Sequence, residues 1–383
     1  MNKENKFLTL ISDSLMLLVV LIGMNILNAR GLSSTRTVNK KVKLVKLNNI
    51  FLSENFKKGS PVLLSDFKVS FKGDVFFINS KSKRVLKYSK SGKFEKYIGE
   101  FGQGEGKYIS PTKLFLNKSS LYVYDSSIKK IHKYDIKGRY KKTIIVKKIF
   151  NSESDFFVSE DEDIFAIWGE YTSQKILDVV GKMNKNGKIK IIKILREIKN
   201  FYNDNCTSNN SYDYFTDNNP PLYNLLAPLY TKLFMKVSKN GFFIFNNRSK
   251  EIRFYNGFNG KVERKIILGY RRKKLSLKEK KVIVGLYGKA ELKILPKYRP
   301  FFENVFIDDC RNLYVVRVSN LFAPERKKIR RIDVYDFEGN FLYDFKLPKK
   351  TVPLYFGNGY AFLLRQMNNS FFYISKVLIQ YRR

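Results

Sequence analysis

The sequence predicts an all-β chain built from six copies of a four-stranded unit and closed into a ring by its own amino-terminal strand. Three observations carry this. The chain is self-similar at an offset of 46 residues, an aromatic residue recurs at one position in six hairpins, and a β-patterned segment near the start has no partner of its own.

At the 46-residue offset, Val75 to Phe94 (VFFINSKSKRVLKYSKSGKF) lies over Leu121 to Tyr140 (LYVYDSSIKKIHKYDIKGRY). The first half of this unit recurs as KVSFKGDVFFIN from Lys68, LFLNKSSLYVYD from Leu114, FFVSEDEDIFAIW from Phe156, MKVSKNGFFIFN from Met235, VFIDDCRNLYVVR from Val305 and LYFGNGYAFLLR from Leu354. Each is an apolar run, a polar turn and a second apolar run, the signature of a hairpin. The second position of the second run is aromatic every time: Phe76, Tyr122, Phe165, Phe243, Tyr314 and Phe362. In so Lys-rich a chain, a solvent-facing position would carry Lys or Thr in at least one copy, so these six are expected to fill the packing between neighbouring units. The second half recurs as strand, turn and strand, with Gly92, Gly138, Gly187, Gly260 and Gly339 in the fourth place of the turn, where positive φ is expected.

Intervals between the aromatics are 46, 43, 78, 71 and 48 residues. Four short strands per 43–48 residues fit the blades of a six-bladed β-propeller spanning residues 30–383. The two long intervals hold insertions, near 200–230 and 270–298. The first is Asn-rich (Tyr202 to Pro221) and reads as an irregular loop; the second contains Ser276 and Glu279 at capping-box spacing and predicts a short helix. The last unit has three strands before the chain stops. Lys41 to Leu52 (KVKLVKLNNIFL) supplies the missing fourth and closes the ring, leaving no open sheet edge.

Residues 1–29 read as a signal peptide or an amino-terminal membrane anchor: Lys3 and Lys6 precede an apolar run, densest from Leu15 to Leu27, with the small Ala29 after it. Export to the periplasm, cell surface or medium is expected. No Cys follows the run, so there is no lipoprotein acylation site. With one His and two Cys in 383 residues, a three-His zinc site, a four-Cys zinc site and a disulfide-dense scaffold cannot be built.

The motifs favour structure over chemistry. The Gly-rich run after Ile98 places Phe101 where a P-loop needs Gly and Tyr108 where it needs a hydroxyl residue preceding a helix, so it reads as a connector between units. Glu160, Asp161, Glu162 and Asp163 fall in a hairpin turn without calcium-loop spacing and read as solvated. His132 takes the place of Leu86 and Arg253 in other units and reads as a strand surface residue. Cys206 and Cys310 lie in separate loops, which need not bring them to the ~5.5 Å Cα separation of a disulfide. The net charge of +39 is spread through every turn and reads mainly as a compositional bias, with polyanion binding as the alternative.

The stretch KYSKSGKFEKYIGEFGQGEGKYISPTKLFLNKSSLYVYDSSIKKIHKYDIKGRY resembles two consecutive NHL-type repeats of the six-bladed β-propeller family of exported proteins in Bacteroidota-like bacteria. In that family a blade ends in Ile-Gly and a Gly-rich loop with an aromatic and a Pro, matched here by Ile98, Gly99, Gly102, Gly104, Gly106, Tyr108 and Pro111. The likeness is strong over Asp66 to Val146, fair over Leu295 to Phe345, and fails in the third and fourth units, which lack the loop. It implies the propeller geometry and leaves activity open, because the fold hosts enzymes, receptors and scaffolds. The expected function is a non-catalytic propeller that binds a protein or glycan through blade-connecting loops, with no cofactor, metal or nucleic acid. The alternatives are a Ca²⁺-dependent enzyme of gluconolactonase or paraoxonase type, which needs three or more carboxylates or amides converging at the channel mouth, and a polyanion-binding surface protein.

Overall fold

The structure is a computed structural model that describes residues 41–51, 64–150, 154–171, 175–199, 233–238, 241–256, 261–269, 273–277, 279–282, 298–318, 328–357, 359–368 and 371–382. The chain divides into two compact units, Met1–Lys40 and Lys41–Arg383, and every described residue belongs to the second. The expected leader at 1–29, the Asn-rich insertion with Cys206, and Gly260 lie outside the described residues. Among the described residues, no helix is long and apolar enough to cross a membrane.

Strand β1 (Lys41–Phe51) precedes the first blade, which consists of β2 (Leu64–Val69), β3 (Val75–Asn79), β4 (Arg84–Tyr88) and β5 (Phe94–Ile98). A short parallel pair, β6 (Glu100–Phe101) and β7 (Lys107–Tyr108), ties the connector to the second blade. That blade holds β8 (Pro111–Leu116), β9 (Ser120–Asp125), β10 (Lys130–Asp135) and β11 (Tyr140–Ile145). The third holds β12 (Phe157–Val158), β13 (Ile164–Tyr171), β14 (Lys175–Met183) and β15 (Ile189–Lys199). The fourth holds β16 (Leu233–Ser238), β17 (Gly241–Asn246), β18 (Glu251–Asn256) and β19 (Val262–Ile267). The fifth holds β20 (Asn304–Ile307), β21 (Leu313–Val318), β22 (Arg330–Tyr335) and β23 (Phe341–Lys346). In the sixth, β24 (Thr351–Gly357), β25 (Tyr360–Asn368) and β26 (Phe371–Arg382) are completed by β1, which runs antiparallel to β26 from Lys41↔Arg382 to Phe51↔Tyr373. The molecule is thus a six-bladed propeller of four-stranded antiparallel blades, closed by its amino-terminal strand.

Strands alternate in direction within a blade. The turns after the first and third strands therefore lie at one end of the ring, the turn end. The turns after the second strands, and the connectors between blades, lie at the other, the connector end. Burial peaks at the second strand of a blade: every residue of β3 and β9 is buried, whereas the channel strands β2 and β8 are partly open and β5 and β11 are mostly half-buried or exposed. A second strand has a blade packed on each face, which is why its sequence is a continuous apolar run instead of an alternating one.

The six recurrent aromatics sit in this layer, all between 0 and 3% exposed. Phe76 packs among Leu114, Leu121 and Val123 of the second blade, and Phe362 lies 5.5 Å from the ring of Phe67 in the first. Tyr314 stacks on Phe356 at 4.7 Å, and Phe165 reaches Phe242 at 6.1 Å. Tyr122 and Phe243 join the clusters that link blades two to three and four to five. In four blades a Lys on the third strand faces the aromatic across the ladder and lays its ammonium over the ring: Lys87 on Phe76 at 5.8 Å, Lys133 on Tyr122 at 5.6 Å, Lys182 on Phe165 at 5.6 Å and Lys376 on Phe362 at 5.7 Å. Part of the chain's positive charge is therefore built into the interblade core as cation–π contacts.

Turn chemistry repeats as regularly. At the turn end the first turn residue caps the backbone N–H four positions on: Ser70 for Asp74 (3.0 Å), Ser159 for Asp163 (3.0 Å), Asp135 for Arg139 (2.9 Å) and Asp336 for Asn340 (2.7 Å). Gly92, Gly138, Gly187 and Gly339 have φ of 87°, 86°, 74° and 90°. In the Gly-rich connector, Tyr108 is fully buried, its hydroxyl donating to Ile98 O and accepting from Val85 N (3.0 Å), while Tyr134 donates to Gly106 O (3.0 Å). A Cβ on Gly99 would stand 2.5 Å from both Tyr108 and the Tyr134 hydroxyl, so only Gly admits both rings. The predicted capping box forms: Ser276 Oγ accepts from Glu279 N (3.3 Å), and the Glu279 carboxylate accepts from Ser276 N (2.8 Å) and from Arg299.

Candidate functional site

The six first strands, β2, β8, β12, β16, β20 and β24, surround a cavity of about 1730 Å³ that opens between the turns of the turn end. Its chemistry follows from the strand register. The first-strand residues paired with the six buried aromatics are Lys68, Phe115, Phe157, Lys236, Phe306 and Tyr355. This layer of the channel is therefore four aromatic rings and two ammonium groups, on blades one and four, which stand opposite in a ring of six. Two residues before five of these come Asp66, Lys113, Asp155, Phe234 and Asn304, all on their strands except Asp155, which precedes β12.

These layers meet as an ion-pair network. Lys68 Nζ lies 2.8 Å from Asp155 Oδ1 and 3.5 Å from Asp66 Oδ1, and Lys236 Nζ lies 3.6 Å from Asp155 Oδ2. Asp66 also binds two blades together, its oxygens accepting from Phe67 N (2.8 Å) and Leu114 N (2.8 Å). Burial disfavours the charge on Lys68, but the attraction of Asp155 and then Asp66 overrides it and holds the ammonium above its ordinary pKa. Asp155 is likewise disfavoured by burial and pulled well below the usual carboxylate range by Lys236, Lys68 and Lys113. Lys236 shifts the other way: burial, with repulsion from Lys68 and Lys113, outweighs Asp155 and lowers its pKa. Three ammonium groups thus stand beside two carboxylates at the centre of the channel, while Glu160, Asp161, Asp308 and Asp309 line its mouth.

Around the mouth stand Ser70, Asn117, Ser159, Ser238 and Asp308, with Phe71 at 84% exposure on the tip of a turn. Of the acidic run, Glu160 and Asp161 are exposed at this rim, as a solvated turn requires. Glu162 instead pairs with Lys133 (3.1 Å) and Lys142, and Asp163 with Lys182 (2.5 Å), anchoring the turn to the adjacent strands. Among the described residues, no three His, Cys, Asp or Glu gather as a metal site. Asp66 and Asp155 face lysines, a setting that repels a hard cation. Cys310 is exposed with a free thiol.

His132 corrects the expectation of a strand surface residue. It is 1% exposed, its Nδ1 lies 3.0 Å from Thr143 Oγ1, and Nε2 has no partner. Its blade equivalent Leu86 is equally buried, which was the available signal. Burial, offset in part by Asp125, lowers the imidazole pKa. The unfolded chain therefore binds the proton more readily than the folded one. The stability contributed by neutral His132 is complete above about pH 6.5 and is lost as pH falls towards the lower folded value. His132→Leu is expected to shrink the drop in Tm between about pH 7.5 and 5; an unchanged drop would assign it to other groups.

The channel lysines and Asp155 were not singled out in the sequence, although the signal was there. K-V-S occurs at Lys68-Val69-Ser70 and again at Lys236-Val237-Ser238, at equivalent places in opposite blades.

Among solved structures, the chain is similar to a Bacteroides fragilis protein classed as exported, with 15% identity and a TM-score of 0.53 over 92% of this chain and 98% of that one. It is also similar to a member of the DUF4221 family from Bacteroides vulgatus, with 11% identity and a TM-score of 0.53 over 89% of this chain and 99% of that one. At such identities the likeness is one of fold. No curated protein sequence matches the chain. The model of one family, described as 6-bladed beta-propeller, matches residues 63–261, just over half of the sequence, which span three blades and the first three strands of the fourth. The chain belongs to that family, DUF5128.

Proposed function

We propose that the protein is an exported, non-catalytic propeller that binds an acidic glycan at the turn-end mouth of its channel. The observation that carries this is the Lys68, Lys113, Lys236, Asp66 and Asp155 network, with its surplus ammonium, at the centre of a channel layered with aromatic rings. Aromatic faces suit sugar rings, the Ser and Asn rim suits hydroxyl groups, and the surplus ammonium suits a uronate carboxylate. Export is supported by the apolar leader, by the likeness of the first blades to NHL-type repeats of exported proteins, and by the description of the Bacteroides fragilis neighbour. The Ca²⁺-dependent enzyme reading gains nothing from Asp66 and Asp155, which are held by lysines.

The test is calorimetric titration with an oligomer of uronic acid residues and its neutral counterpart. The acidic oligomer is expected to bind, and Lys236→Met, which keeps the apolar stem, to weaken it at least about tenfold, a charge-assisted contact being worth over 1 kcal/mol. Equal binding of both oligomers, or indifference to Lys236→Met, would remove the channel from the reading.

A further inference from the structure

The two ends of the ring differ in charge. At the connector end, the described turns and connectors are residues 80–83, 99–110, 126–129, 146–150, 154–156, 247–250, 268–269, 273–277, 279–282, 298–303, 328–329 and 347–350. They carry sixteen Lys and Arg against five Asp and Glu. At the turn end, residues 70–74, 89–93, 117–119, 136–139, 159–163, 184–188, 261, 308–312 and 336–340 carry ten against nine. A compositional bias alone would load both ends alike.

Four of the five acids at the connector end are engaged, and Glu105 is exposed. Glu100 pairs with Lys107 (3.3 Å), Glu279 with Arg299 (2.7 Å), Glu303 with Arg330 (2.9 Å) and Asp155 with Lys68 (2.8 Å). By contrast Lys83, Lys129, Lys147, Lys250, Lys349 and Lys350 are exposed.

The same end also presents apolar side chains to water. Phe101 is 58% exposed, Ile145 68% and Leu277 77%, and Ile149, Ile267 and Ile329 are exposed there too. Phe101 is held out by the Gly-rich connector, with Lys83 Nζ 5.6 Å from its ring centroid. A hydrated polyanionic chain would reward the lysines but not these side chains. A bilayer rewards both: Lys heads meet anionic headgroups while Ile, Leu and Phe reach the acyl boundary.

We infer that the connector end docks on a membrane surface rich in anionic lipid, leaving the channel mouth facing away from it. This stands independently of what the channel binds. The test is co-sedimentation of the full chain with vesicles of phosphatidylcholine alone or containing about one third phosphatidylglycerol. The parent is expected to bind the anionic vesicles at least about tenfold more tightly, and less so in about 0.5 M salt.

Replacing Lys81, Lys83, Lys349 and Lys350 by Glu is expected to abolish that preference, whereas replacing Lys90, Lys93, Lys185 and Lys188 at the turn end preserves it. Phe101→Ser with Leu277→Ser is expected to weaken binding severalfold with the salt dependence retained. All variants share the leader, so differences report the face; a Lys→Gln set replaces the Glu set if the latter melts early. Equal losses from both lysine sets would reduce the effect to bulk charge. An indifferent Phe101/Leu277 variant, together with competition by a soluble acidic polysaccharide, would make the face a polyanion site and overturn the membrane assignment.

Discussion

Deleting residues 41–51 is expected to lower Tm and drive the protein into large aggregates at micromolar concentration. Strand β1 pairs with β26 along its whole length, so its loss bares the edge of β26 in the sixth blade. That edge includes the apolar-rich run from Tyr373 to Gln380, a long unpaired strand of the kind that recruits a second chain. Packing is lost with it. Val42 and Leu44 lie against Phe345, Leu347 and Ile379, and each half-buried aliphatic contributes about 1 kcal/mol. Polar ties go as well: Ser375 Oγ donates to Asn49 Oδ1 at 3.1 Å, and Asn48 Nδ2 reaches Ser91 O of the first blade at 3.1 Å. Size-exclusion chromatography with light scattering, alongside thermal melting, checks the outcome. A deletion variant that stays dispersed and melts with the parent would show that the ring holds without this strand.

Phe243→Ala is expected to cost about 3–5 kcal/mol, the range for emptying a fully buried Phe site. Phe243 is 0% exposed, 4.9 Å from the ring of Phe254 and 6.1 Å from that of Phe337, among Val305, Leu313 and Val315 of the next blade. Rigid strands line the hole on both sides, so little of it can collapse. Denaturant unfolding should show a lower midpoint at an unchanged slope. Because Phe243 stands behind Lys236 instead of beside the channel, ligand preference should persist in the variant below its melting range. A cost under about 1 kcal/mol would mean that the blades can close over the gap.

The fold was legible because it repeats. Six hairpins at near-constant spacing, with glycines in equivalent turns, state one local rule many times, and the unpartnered strand at Lys41 states how the ring ends. The channel was harder to read. What matters there is which residues of different blades share a height, and the six first strands contribute Lys68, Phe115, Phe157, Lys236, Phe306 and Tyr355 with no common residue type to betray the layer. Asp155 lies outside its strand, two positions before the short β12, and gains its role because lysines of two other blades reach it. His132 was misread because Arg253 at the equivalent place suggested water, whereas Leu86 gave the right environment. Charge was legible only as a total, which says nothing of where it sits. Some of it lies over buried rings, and the described turns and connectors carry a larger excess at one end of the molecule than at the other.

The pairing of Lys41 with Arg382 also fixes the order of events during synthesis. Strand β1 is the first described segment to be made, yet its neighbour β26 is the last described strand, so five blades can form their hairpins locally while β1 waits for it. Closure of so long a loop adds little thermodynamic cost, since each doubling of length costs only about 0.6 kcal/mol, but it imposes a delay. Until β26 has been made, the nascent chain carries the free edge of β1 and has no completed ring. The full cooperativity of the fold is therefore withheld until β26 has been made.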